Sequence, residues 1–248
     1  MPNELSTDVL HTEYNLYPDI IQYSVKNPII RSPYSETDLY FYQTRDTMMN
    51  NPDVFRSFVK SAESAFRASR EYKAYKSYLM TDIGINRCQY LGNITSEDAE
   101  IELHHSIIGL FDICILITMH ILNTIGRITT FDLVQLLIQE HYANNIPIVF
   151  LSKTIHQVIT GDEDYYIGPE MVFGSWWVLL DKYKYGITYD VAYKIINYIK
   201  KYQNQMPISI TVEQQEEILN FAWLSEYGMP PSECGEIPYT GEVIELEE

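Results

Sequence analysis

Cysteine is scarce in this chain. Cys88, Cys114 and Cys234 lie far apart and form no C-x-x-C pair, which excludes a disulfide framework and a cysteine zinc knuckle and fits a reducing, intracellular setting. No glycine-rich phosphate loop, G-x-S-x-G elbow, EF-hand loop or dinucleotide fingerprint occurs, so the common nucleotide, ester and calcium chemistries lack their motifs. Long apolar runs are missing as well. The longest, 107–125, is interrupted by Asp112, His120 and Asn123 and reads as a buried helix, not a membrane span. The first eight residues carry neither the basic nor the apolar region of a signal peptide. These absences predict no membrane partner and a cytoplasmic location.

Basic residues are absent from Tyr202 onward, where ten carboxylates stand without a Lys or Arg. Most of the formal net charge of −17 therefore belongs to the last fifth of the chain. A surface acidic all over would repel nucleic acid. Between Val54 and Arg87 the sign reverses: Arg56, Lys60, Arg67, Arg70, Lys73, Lys76 and Arg87 face only Glu63, Glu71 and Asp82. What is plentiful is hydrophobic and aromatic side chain, 46% and 13% of 248 residues, enough to bury a core in one ample domain or two small ones.

Along the chain, prolines and scattered tyrosines over 1–51 predict an extended N-terminal arm. Asn51 and Pro52 then open a basic amphipathic helix over 52–86, with Phe55, Phe58, Val59, Ala62, Ala65 and Phe66 recurring at helical spacing. Gly92-Asn93 reads as the turn of a short hairpin, and Ala99 to His104 as a strand. Helices are expected over 107–123 and 130–142, the second capped at Thr129 or Thr130 and amphipathic through Leu133, Leu136 and Leu137. An apolar strand over 146–151 then runs into a short helix ending near Ile159. Helices over 169–184, 189–202 and 212–227 follow, and then an acidic, flexible tail over 228–248.

Two stretches could carry chemistry. Glu102-Leu103-His104-His105 sets two imidazoles at a strand end behind a carboxylate. Leu151-Ser152-Lys153-Thr154-Ile155-His156 leads a strand into a helix that presents another imidazole. A divalent ion held by imidazoles can stabilise a scissile phosphate while a neutral imidazole activates water. The stripe of Arg56, Lys60, Arg67, Lys73 and Lys76, interleaved with Tyr72, Tyr75 and Tyr78, could track a phosphate backbone. His120 is expected in the core, and His141 at a helix C-terminus is expected to interact with the helix dipole.

Together with Arg87-Cys88-Gln89 and Gly92-Asn93-Ile94, these segments resemble phage-type HNH endonuclease-like proteins over roughly 87–159. The resemblance implies a small ββα-metal-like core over 87–165, interrupted by a helical insertion over 107–143; with the flanking helices read above, including a helical region over 166–227, the expected fold is α+β and predominantly helical. It implies His105 as general base, Asn145 as the residue orienting it, and His104 and His156 as ligands of one divalent ion (Mg, Mn or Zn). Glu102 or Asp162 would supply an oxygen ligand. The implied activity is cleavage of DNA phosphodiester bonds. Thr160, however, stands one turn after His156, where that family usually carries a second histidine. The alternative is a non-catalytic phage structural or interaction protein that keeps the scaffold, an acidic inhibitor or DNA mimic whose partner is a host or phage protein.

Overall fold

Ser69 is the first point at which local chemistry overrides the periodicity. The computed structural model describes residues 42–161, 167–202, 204 and 210–227; the predicted arm over 1–41, Asp162, Cys234 and the acidic tail lie outside them. Residues 42–51 form a short strand, β1 (Gln43–Thr44), and a helix, α1 (Arg45–Met49), in place of the end of an extended arm. The basic segment is two helices, α2 (Pro52–Ala68) and α3 (Arg70–Thr81), where a single one was expected. Ser69, at φ −63 and ψ 153, leaves helical space, and its Oγ accepts from the Tyr72 N–H at 3.1 Å, so one side chain ends α2 and caps α3. The apolar stripe Phe58, Val59, Ala62, Ala65 and Phe66 is buried as the spacing predicts.

The remaining elements are β2 (Ile101–His105), α4 (Leu110–Thr124), β3 (Arg127–Ile128), α5 (Thr130–Tyr142), β4 (Ile148–Ser152), α6 (Lys153–Gly161), α7 (Trp176–Lys182), α8 (Tyr189–Tyr202) and α9 (Val212–Tyr227). Short 3-10 turns occupy Pro169–Met171 and Lys184–Gly186. The fold is α+β and predominantly helical, with two antiparallel strand pairs, β1 with β3 and β2 with β4. No helix among the described residues is long and apolar enough to cross a membrane.

The core centres on α5, whose residues from Leu133 to His141 are all buried, with α2 packed against it and against α4. Thr129 caps α5 in a reciprocal box: its Oγ1 accepts from the Asp132 N–H at 3.0 Å while Asp132 accepts from the Thr129 N–H at 2.9 Å. Cys88 and Cys114 are buried free thiols. Strand β2 pairs with β4 so that His104 faces Val149 and His105 faces Ile148 across the ladder.

Two further expectations change. The hairpin around Gly92-Asn93 reduces to one isolated bridge, Arg87 with Thr95, because Gln89 is committed to β4. The Gln89 N–H donates to the Phe150 carbonyl at 2.8 Å, and its Oε1 accepts from the Phe150 N–H at 2.6 Å. The helix expected over 169–184 is broken at Gly174, which sits at φ +110 while Phe173 bridges Ile148. A Cβ at Gly174 would lie 2.2 Å from the Ile146 carbonyl oxygen, so only glycine fits this crossing.

Candidate functional site

Strand periodicity decides where the histidines go. Successive side chains of a strand point to opposite faces, and β2 alternates accordingly: Ile101, Leu103 and His105 are buried, Glu102 and His104 half-buried. The adjacent imidazoles His104 and His105 therefore enter different environments.

On one face, Glu102 and His104 meet His156 from the first turn of α6. The His156 Nδ1–H donates to Glu102 Oε2 at 2.5 Å, and the His104 and His156 rings stand edge to face with centroids 4.9 Å apart. Burial, with a smaller contribution from the neighbouring His156, pushes the His104 imidazole down to about 4, so it is neutral near pH 7. His104 borders a cleft of about 470 Å³ lined also by His105, Ser106, Asp112, Lys194, Tyr198 and Lys201. Lys194 donates to both carboxylate oxygens of Asp112 at 2.8 and 2.9 Å, closing one wall.

On the other face, His105 lies 7% exposed and its Nε2 is 3.1 Å from Nε2 of His141, which is 1% exposed. The His141 Nδ1 is 2.6 Å from the Leu137 carbonyl, which only accepts, so Nδ1 carries the proton. Burial drives the His141 imidazole down to about 4 and His105 well below its ordinary value. With both rings neutral, His141 Nε2 is the acceptor and His105 Nε2–H the donor. Phe66 and Tyr75 enclose His141 at centroid distances of 4.6 and 5.4 Å, and Tyr72 stacks on His105 at 6.5 Å.

Asn145 does not approach His105 through a hydrogen bond; its Nδ2 donates to Glu140 Oε2 at 2.8 Å and its backbone N–H to the Glu140 carbonyl at 3.0 Å. Glu140, 1% exposed, also accepts from the Tyr183 hydroxyl at 2.7 Å and pairs with Lys182, tying the end of α5 to α7. The helix-dipole role expected of His141 gives way to this packing: the ring is buried among aromatics and bonded to its own helix. Glu140 and His141 were missed as a buried pair, although the signal is present. They continue the Leu133, Leu136, Leu137 stripe at seven and eight residues from Leu133.

No group of three or more His, Cys, Asp or Glu side chains placed to hold a metal occurs among the described residues. Strands β2 and β4 followed by α6 reproduce the expected order of elements, but a ββα-metal core is not shown among the described residues, and β2 sends His105 to the face opposite His104 and His156. Arg56, Lys60, Arg67 and Lys73 are exposed and Lys76 half-buried, while Tyr75 is fully buried and only Tyr78 of the three interleaved tyrosines is exposed.

The sequence model of the bacteriophage G278-like virion protein family matches residues 14–227, and the chain belongs to that family. No curated protein and no solved structure matches it. Membership overturns the HNH resemblance, and the endonuclease and hydrolase reading with it; DNA loses its support as a partner.

Proposed function

We propose that this protein is a non-catalytic structural component of a phage particle, held there by contacts with other virion proteins. The observation that carries the reading is the family match over 14–227. The geometry supports it. Two of the imidazoles have a packing or pairing role that needs no reaction: His105 is hydrogen-bonded to His141, and His156 secures α6 to β2 through Glu102. The Glu140, Lys182, Tyr183 and Asn145 cluster spends its polar atoms joining helices.

Protein mass spectrometry of gradient-purified particles is the direct test, with this chain expected at a fixed ratio to the other particle proteins. Detection only in the soluble fraction of the infected cell would sink the reading. Purified chain incubated with plasmid and magnesium or manganese is expected to leave the plasmid supercoiled; nicking abolished by His105→Ala would restore an enzymatic role.

A further inference from the structure

Helix α9 buries only its second half. Ala222, Leu224 and Ser225 are buried, whereas Val212 at its start is 65% exposed and Ile218, Leu219 and Phe221 are half-buried. The helix packs against the Lys184–Gly186 turn and α8, and between it and α7 an open groove of about 160 Å³ remains. Trp176 and Leu180 are the buried side chains that line it, and Trp177, Ile218 and Phe221 the half-buried ones. An apolar cavity of about 150 Å³ holds a benzene ring, so this groove has room for one large apolar side chain.

The charges around the groove are one-sided. Asp181, its side chain 85% exposed, and the exposed Glu217 line it, and the exposed Glu213 stands one turn before Glu217 on α9. The cation that lines the groove, Lys184, is already engaged: its Nζ lies 3.7 Å from Asp181 Oδ1 and 5.3 Å from the centroid of the Phe221 ring. Glu213 and Glu217 form no ion pair among the described residues, so the rim keeps its negative charge. An apolar seat edged by uncompensated carboxylates is complementary to a helix that carries apolar and cationic side chains together. The basic stripe of a second copy's α2 is a poorer fit, because Arg56 and Lys60 share their face with Ser57, Glu63 and Ser64 and with no large apolar side chain.

We propose that the groove between α7 and α9 docks a cationic amphipathic helix of another virion protein, one large apolar side chain seated against Trp177 and Phe221 and neighbouring Lys or Arg residues pairing with Glu213 and Glu217. The apolar anchor supplies the affinity, since exposed ion pairs are individually weak and screened by salt, and the carboxylates select the sign of the partner. The choice of a virion protein as partner rests on the function proposed above; the charge and shape required of that partner rest on the groove.

Titration of the full chain with a synthetic peptide tests the groove. The probe is a helix of about 14 residues, about four turns, with leucines at every third and fourth position, one central phenylalanine and lysine elsewhere; the control replaces every lysine with glutamate. The lysine peptide is expected to bind saturably and shift tryptophan emission to the blue, and the glutamate peptide to do neither. Trp177→Phe should bind the peptide yet lose most of the emission shift. The double variant Glu213→Lys, Glu217→Lys, at exposed positions, should keep its far-ultraviolet circular dichroism and bind about tenfold more weakly at 0.1 M sodium chloride, where the Debye length is about 10 Å. Equal binding of both peptides, no binding of either, or binding indifferent to both variants would overturn the proposal while leaving the virion reading in place. In purified particles, carbodiimide is expected to link Glu213 or Glu217 to a lysine of a different protein; links only to a second copy of this chain, or absence of the chain from particles, would overturn the assignment of the partner.

Discussion

The two faces of strand β2 hold chemically identical side chains in opposite circumstances. His105 is buried against Tyr72 and hydrogen-bonded to His141, with the proton order dictated by the Leu137 carbonyl, while His104, one residue earlier, is half-buried beside the Glu102 and His156 pair; both border the same cleft. The difference teaches that adjacency in sequence is separation in a strand. A histidine doublet converges on one centre only where the backbone places both rings on the same side, and a pleated strand does the reverse.

The largest effect expected from this contrast is acid sensitivity. The unfolded chain takes up protons on its histidines near 6.5, whereas burial holds the His141 imidazole down to about 4 and His105 lower than its ordinary value. Between those limits the unfolded state binds more protons, so stability is full above about 6.5 and is lost as pH falls toward 4. Each histidine contributes about 1.4 kcal/mol per pH unit across the window. His104, also at about 4, adds one such contribution from the opposite face. Urea denaturation at a series of pH values should show the loss, and His104→Gln should retain the larger part of the slope. A stability profile flat from pH 6.5 to 4.5 would break the comparison.

Next in size is truncation on the buried face. His141→Ala leaves a cavity among Phe66, Tyr72 and Tyr75 and strands the His105 Nε2–H without its acceptor. Cavity and orphaned donor together should cost about 3 kcal/mol, read as a lowered urea midpoint with unchanged slope at pH 7. A loss under about 1 kcal/mol would mean that the chamber relaxes around the gap.

Local chemistry was legible wherever one segment sufficed. The Thr129 cap and the buried stripes of α2 and α5 follow from spacing and capping residues alone, and the helices Tyr189–Tyr202 and Val212–Tyr227 from the breaks at Gly186 and Met206-Pro207. The pattern shows no break at Ser69, because a serine inside an apolar repeat is compatible with continued helix; its capping of α3 emerges only with the Phe66 carbonyl and the Tyr72 N–H in place. Gly174 breaks a predicted helix through a tertiary approach to Ile146 that no local pattern records. The candidate site failed for a different reason. The order strand, histidine pair, strand, helix was present, but His141, 36 residues from His105 in the chain, claims His105 for the core. Which strand face each ring takes was computable from period two. That a buried partner waited on one face was signalled only by Glu140 and His141 falling on the apolar stripe of α5.

The smallest effect sharpens the contrast from its half-buried side. The ring of His156 and the carboxylate of Glu102 are each 28% exposed, and their bond at 2.5 Å joins α6 to β2 at the surface of the fold. Water can take the place of either partner there more readily than at His105, which is 7% exposed. His156→Gln keeps an amide donor near Glu102 and should shift stability by no more than about 0.5 kcal/mol, the scale of exposed pairs. Thermal melts of this variant beside His141→Ala, at pH 7 in one buffer, give the ratio directly. Two substitutions on opposite faces of one strand should then differ severalfold in cost. Equal costs would show that α6 is held mainly by the Glu102 contact, and the half-buried face would be as structural as the buried one.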